Sequence, residues 1–180
     1  LIPITVIKGI SASRPSNISM KLGITNIIIA ITTPIITKFI EEQIDVEKII
    51  VMVQNEVADR FSAKTGTKSY NSLTIFLNYY FDIKKAFVVS RNVFYPKPNV
   101  DSAVVTFTKK RNTLKADNEK LFFKLVRDAF CQKRKTLKNN LKTYDLDKID
   151  EVLKKYNKNI TFRAENITMD EFIDISNNLN

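Results

Sequence analysis

Histidine and tryptophan are absent from this 180-residue sequence, which contains one cysteine and three glycines. Without histidine there is no Ser-His-Asp triad, no Cys-His pair and no histidine-ligated metal site. A single cysteine allows neither an internal disulfide nor a cysteine-rich zinc site, which favours a reducing compartment. The glycines stand apart at positions 9, 23 and 66, so neither G-x-G-x-x-G nor a Walker phosphate loop is present. The sequence therefore predicts no metal site and no glycine-rich nucleotide-binding loop.

Long apolar runs are also lacking. No apolar run, Ile27–Ile31 included, exceeds five residues, whereas a membrane-spanning helix needs about 20. No signal-peptide pattern is evident. The sequence begins with Leu1 rather than methionine, which suggests a fragment. From these features we expect a cytoplasmic protein that has no membrane partner and is a monomer.

Positive charge is abundant and unevenly distributed. The chain has 29 Lys and Arg against 19 Asp and Glu, a formal net charge of +10. Residues 109–142 contain 12 of these cations and only three acids, so 34 residues carry a net charge of +9. Such a concentration is typical of a surface that binds phosphates. A solvated helix face and a contact with anionic membranes are the alternatives.

The first part of the chain alternates between strand and helix patterns. Residues 1–22 are irregular, and Lys64–Lys68 is a basic loop. Strands are predicted at 23–31, 48–53, 81–89 and 100–108, and helices after Thr33-Pro34, at 56–61 and at 72–80. This alternation predicts a mostly parallel α/β sheet within residues 23–110.

After residue 110 the pattern becomes purely helical. Asp117 or Asn118 is the expected N-cap of one helix, and a second spans residues 147–156. Thr168 and Glu171 have the spacing of a capping box, which predicts the start of the last helix. Residues 111–180 are therefore expected to form a small all-helical domain, with Cys131 as a buried helical cysteine.

Five segments together carry a family resemblance. They are Thr33–Ile36, Met52–Phe61, Phe94–Val105, Gln132–Leu141 and Arg163–Thr168. In order and spacing this set resembles the small-subunit ribosomal RNA adenine N6-dimethyltransferases, the dimethyladenosine transferases, over about residues 24–180. The last segment favours this family over the related macrolide-resistance methyltransferases.

The resemblance implies both a fold and a reaction. The fold is the C-terminal part of a class-I, Rossmann-like methyltransferase sheet, followed by a helical RNA-binding domain. The reaction is transfer of methyl groups from S-adenosylmethionine to N6 of two adjacent adenines in small-subunit rRNA, a step of ribosome biogenesis. The implied partner is small-subunit rRNA or an immature small ribosomal subunit.

The resemblance also implies site residues. Asn26 is the expected catalytic residue, whose side-chain oxygen orients the adenine amino group. Ile28 and Ile29 stand where the family has proline and an aromatic ring that stacks on the base. Phe94 is the expected second stacking ring. The expected substrate-binding cations are Lys133, Arg134, Lys135 and Lys138.

Alternatives remain open for three of these positions. Ile27–Ile31 also fits a plain core strand, Asn26 a turn at a strand end, and Phe94 a ring packed against the sheet edge. No segment of residues 1–22 resembles the family's glycine-rich loop or its acidic ribose-binding residue. We therefore expect a truncated or degenerate copy, inactive alone and without a cofactor site; a non-catalytic RNA-binding or ribosome-assembly module is the alternative.

Overall fold

The computed structural model describes residues 46–111 and 114–180, together with Ile36 and Lys38. Ile36 and Lys38 are both helical, and Ile36 is buried. Asn26, the strand predicted at 23–31 and the segment 1–22 lie outside the described residues.

The described residues form two compact units. Unit 1 contains residues 46–62 and 80–109, and unit 2 contains residues 63–79 and 110–180. Unit 1 is built from strands β1 (Lys48–Gln54), β2 (Phe81–Val89) and β3 (Ser102–Lys109), helix α1 (Asn55–Phe61) and a 3-10 turn at Arg91–Val93. Residues 63–79, which the sequence pattern assigned to the α/β part, pack within unit 2.

The strands of unit 1 form one sheet in the order β1-β3-β2. Both neighbouring pairs are antiparallel; Val51 and Ile83 face the β3 residues Val105 and Phe107. The prediction of a mostly parallel sheet is therefore wrong for these strands. Parallel neighbours are usually joined by a crossover helix, whereas the connection from β2 to β3 contains only a three-residue 3-10 turn.

One face of this sheet packs against α1. Burial alternates along β1, with Ile49 and Val51 inside, as expected for a strand with one protected face. Phe107 of β3 is fully buried and meets Phe61 edge to face at 5.6 Å between ring centroids. This apolar layer fixes α1 against the sheet.

Unit 2 is helical among the described residues. It contains most of α2 (Ser72–Tyr80), then α3 (Glu119–Ala129), α4 (Leu137–Asn140), α5 (Leu146–Lys155), a 3-10 turn (Ala164–Asn166) and α6 (Met169–Leu179). Its core includes Leu77, Phe122, Leu125, Leu153 and Phe172, all fully buried.

Local capping signals predicted two of the helix starts of unit 2 correctly. Asn118 caps α3 by accepting the Leu121 N–H at 3.1 Å. Thr168 and Glu171 form the reciprocal capping box at the start of α6. The burial predicted for Cys131 is wrong, because α3 ends at Ala129 and Cys131 is exposed in the following turn.

Membrane-spanning helices and metal-binding clusters are both absent from the described residues. No helix in this part of the chain is long and apolar enough to cross a membrane. No cluster of three or more Asp, Glu or Cys side chains that could hold a metal ion occurs within these same residues.

Candidate nucleic-acid interface

The predicted substrate-binding cations lie on one short stretch of unit 2. Lys133, Arg134 and Lys135 occupy the turn after α3, Lys138 lies in α4, and all four are exposed. We call these four residues the 133–138 cluster. Among the described residues, Arg134, Lys135 and Lys138 make no ion pair with an acid. Their charge is therefore available to an external anion.

Buried and hydrogen-bonded groups fix the backbone beneath the 133–138 cluster. The Asn140 side-chain amide donates to the carbonyls of Ala129 at 2.6 Å and Gln132 at 3.1 Å, which closes the turn. Leu137 is fully buried, and its N–H donates to the carbonyl of Phe162 at 2.9 Å. These contacts hold the exposed cations on a fixed backbone, which lowers the entropic cost of binding a ligand.

Not every cation of residues 109–142 is available in the same way. The Lys124 ammonium donates to Asp128 at 2.9 Å and to the Tyr144 hydroxyl at 2.9 Å. Tyr144 in turn donates to Asp128 at 2.6 Å, and the hydrogen bonds from Tyr144 and Lys124 hold the pKa of Asp128 below its usual value. The Lys110 ammonium donates to the Asn78 carbonyl at 2.7 Å. These two cations serve internal contacts of unit 2, unlike Arg134, Lys135 and Lys138.

A second basic segment lies beside the 133–138 cluster. The Lys133 ammonium donates to the backbone carbonyl of Lys68 at 2.5 Å, although the two residues are 65 positions apart in the chain. Residues 64–68, here the 64–68 loop, carry the exposed side chains of Lys64 and Lys68. The sequence predicts that this loop is basic but not that it neighbours Lys133, because only the tertiary fold brings the two segments together.

Unit 1 contains a polar cleft of about 310 Å³. It opens where β1 ends and β3 begins, and it is lined by Gln54, Asn55, Glu56, Arg91, Asn99, Val100 and Asp101. The Arg91 guanidinium donates to the Asn99 carbonyl at 2.6 Å, and the Arg91 N–H donates to Asp101 at 3.0 Å. The buried Asn55 Oδ1 accepts no hydrogen bond from the described residues. Asn55 thus contributes a buried, unsatisfied acceptor to the wall of the cleft.

Phe94 follows the 3-10 turn that contributes Arg91 to this cleft. Its side chain is partly exposed, whereas that of its neighbour Tyr95 is fully exposed. Both possibilities for Phe94, a stacking ring or a ring at the sheet edge, therefore remain predictions. The predicted catalytic Asn26 lies outside the described residues.

The fold defines the class of protein. The chain is similar in structure to the 23S rRNA methyltransferase ErmE, with a TM-score of 0.64 and 18% identity over 82% of this chain and 60% of that one. It is also similar to a dimethyladenosine transferase from Plasmodium falciparum, with a TM-score of 0.66 and 25% identity over 81% of this chain and 62% of that one. The expected fold, a Rossmann-like methyltransferase sheet with a helical domain, is thereby confirmed.

The family follows from the sequence comparison. The family model described as ribosomal RNA adenine dimethylase matches residues 16–180, and the chain belongs to this family. It is 39% identical over 178 residues to ribosomal RNA small subunit methyltransferase A of Geobacillus thermodenitrificans, covering 95% of this chain and 61% of that protein. The protein of the same name from Bacillus cereus strain B4264 is 39% identical over 163 residues, covering 87% of this chain and 56% of that protein. The chain thus spans about three fifths of the length of these relatives.

Proposed function

We propose that this chain takes part in the S-adenosylmethionine-dependent N6-dimethylation of adjacent adenines in small-subunit rRNA, and that unit 2 binds the RNA. The observation that carries the proposal is the 133–138 cluster, a set of exposed cations on a fixed backbone within a member of the rRNA adenine dimethylase family. The named relatives, the small subunit methyltransferases A, support small-subunit rRNA or an immature small subunit as the partner.

The role of unit 2 in this proposal is to position the RNA. Lysine and arginine contacts to phosphates supply affinity and orientation but carry no direct sequence information. Association through such contacts releases counterions, so binding weakens steeply as salt rises. The choice of target adenines therefore falls to groups that touch the bases and to the shape of the RNA.

The role of unit 1 is to receive the target base. An adenine amino group is a poor nucleophile because its lone pair is delocalised into the ring, so its orientation matters. In this proposal Phe94 stacks on the base that leaves the RNA, and the Asn26 side-chain oxygen accepts an N–H bond from its amino group.

The described residues contain no glycine-rich loop that could hold S-adenosylmethionine. The single glycine among them, Gly66, lies in unit 2, where its N–H donates to the Glu165 carbonyl at 2.6 Å. The other two glycines of the sequence, at positions 9 and 23, are isolated from each other. No step of the proposal is therefore assigned to cofactor contacts within the described part of the chain.

The first test concerns the cofactor. A polypeptide of residues 1–180 is expected to bind S-adenosylmethionine only weakly, with a dissociation constant above about 100 μM, which corresponds to roughly −5.5 kcal/mol. Isothermal titration calorimetry at millimolar cofactor measures it. A tighter constant would show that these 180 residues contain a cofactor site that the glycine pattern does not reveal.

The second test separates the enzyme from a non-catalytic RNA-binding or ribosome-assembly module. The module is favoured by Ile28 and Ile29, which replace the proline and the aromatic ring of the family motif. Residues 1–180 alone are expected to bind rRNA and to transfer no tritium from labelled S-adenosylmethionine. With the whole product of the gene, transfer into immature small subunits that Asn26→Ala abolishes would support the methyltransferase. RNA binding by that product without any transfer would support the module.

A further inference from the structure

The 64–68 loop and the 133–138 cluster meet at one point of unit 2, and we propose that they form a single RNA-binding surface in which Lys64 and Lys68 also contact phosphates. This inference rests on the proposed RNA binding by the 133–138 cluster and extends that surface by a second, sequence-distant segment. The partner is the same RNA strand or hairpin, recognised through its phosphate oxygens.

The point of contact is the Lys133 ammonium. One of its three N–H donors binds the Lys68 carbonyl at 2.5 Å, which leaves two donors for another acceptor. Lys133 therefore joins the two segments and still presents its charge. A phosphate at this ammonium lies within reach of the flexible side chains of both segments.

The 64–68 loop has a defined conformation of its own. Both the hydroxyl and the N–H of Thr67 donate to the Lys64 carbonyl, at 2.7 and 3.2 Å. Gly66 adopts a positive φ of 85°, which glycine tolerates without steric cost, and its N–H donates to the Glu165 carbonyl. These hydrogen bonds engage the backbone groups of Lys64, Gly66 and Thr67. The side chains of Lys64 and Lys68 are therefore carried by a turn that is already formed.

Tyr70 anchors the loop to the helical core of unit 2. Its side chain is only 5% exposed and meets Phe130 edge to face at 6.0 Å between ring centroids. Its hydroxyl is hydrogen-bonded to the Thr65 side chain, and burial raises the pKa of Tyr70 to about 12. The loop is therefore fixed at Thr65 as well as at Gly66 and Lys68.

The two lysines of the 64–68 loop carry charge that is available to a ligand. Lys64 and Lys68 are exposed, and neither makes an ion pair within the part of the chain that the structure describes. Together with the 133–138 cluster they bring six cations onto one surface. Cations that already stand together on a fixed backbone repel one another until a polyanion binds, and the relief of this repulsion favours RNA over small anions.

The test is the salt dependence of binding by the variant Lys64→Ala/Lys68→Ala in the full 180-residue chain. The probe is a fluorescein-labelled RNA hairpin with a single-stranded 3′ tail, and its anisotropy gives the affinity over a range of KCl concentrations. Each lost phosphate contact lowers the log–log slope by about 0.7 to 0.9, so a decrease of roughly 1.4 to 1.8 is expected. If the variant and the unmodified chain bind the RNA equally at about 1 M salt, the dissociation constant of the variant at about 0.1 M should be roughly 25- to 60-fold higher.

Two control variants keep this result specific. Lys148→Ala/Lys155→Ala removes the same charge from exposed positions of α5, and it should leave the slope close to that of the unmodified chain. Lys64→Arg/Lys68→Arg keeps the charge and should restore binding. Thermal unfolding of every variant is followed by circular dichroism, and equal midpoints show that folding is intact.

The outcomes separate this inference from the proposed function. An unchanged slope for Lys64→Ala/Lys68→Ala, with binding that still depends on the 133–138 cluster, overturns the inference alone. Equal losses in the α5 control also overturn it, because the effect would then come from net charge and not from this surface. Absence of salt-dependent RNA binding by the unmodified chain overturns the proposed function itself.

Discussion

Replacing the 133–138 cluster with alanine should weaken RNA binding at about 0.1 M salt by roughly 100- to 1,000-fold. Arg134, Lys135 and Lys138 are exposed and make no ion pair among the described residues, so we count three full phosphate contacts. The Lys133 ammonium already donates to the Lys68 carbonyl, so its own contribution is smaller. At about 0.7 to 0.9 per contact, the log–log salt slope should fall by roughly two to three units.

The measurement is the same anisotropy titration with the labelled RNA hairpin. The matched control replaces Lys133, Lys135 and Lys138 with arginine, which preserves every charge and should keep the slope near its original value. Because all four side chains are exposed, the unfolding midpoint of the alanine variant should stay near that of the unmodified chain. A quadruple alanine variant with an unchanged slope would show that the RNA binds elsewhere.

The largest effect on stability is expected at Lys158. Its ammonium donates to both carboxylate oxygens of Glu171 at 2.8 Å and to the Asn166 carbonyl at 2.8 Å. The Glu171 side chain is only 7% exposed and also accepts the Thr168 N–H. Lys158→Met leaves this buried carboxylate without its cation, and removal of one partner of a buried pair costs about 3 to 5 kcal/mol.

Urea unfolding followed by helical circular dichroism measures this loss, since the chain has no tryptophan for fluorescence. The control is Lys158→Met/Glu171→Gln, in which glutamine removes the buried charge but keeps the capping-box hydrogen bond. The double variant should regain most of the lost free energy of unfolding. A loss below about 1 kcal/mol in Lys158→Met, the range of an exposed pair, would contradict the prediction.

Short-range signals in the sequence determined much of the secondary structure. The helix at 72–80 and the strand at 81–89 have the observed bounds, because apolar periodicity reflects local geometry. The N-caps at Asn118 and Thr168 were also readable, since a capping side chain bonds the backbone two or three residues away. The family could be predicted for a different reason. Five short motifs in a fixed order are far more specific than any single motif.

Short-range signals did not predict whether neighbouring strands are parallel or antiparallel. The strand and helix alternation pointed to parallel neighbours, yet β3 lies antiparallel between β1 and β2. The direction of a strand depends on the connection that precedes it and on which edge remains open. Neither property is contained in the strand's own residues.

The charge run at 109–142 came from the sequence alone, but only the tertiary structure divided it into engaged and available cations. Lys124 is committed to Asp128 and Tyr144, whereas Lys68 joins the 133–138 cluster from 65 residues away through Lys133. Contacts of Tyr79 likewise join residues 63–79 to the helical unit. Its hydroxyl accepts the Ala116 N–H at 3.1 Å, and its ring packs on Phe122. Composition and periodicity specify what each segment can form by itself, but contacts across tens of residues are selected by the packing of the whole core, which no local pattern encodes.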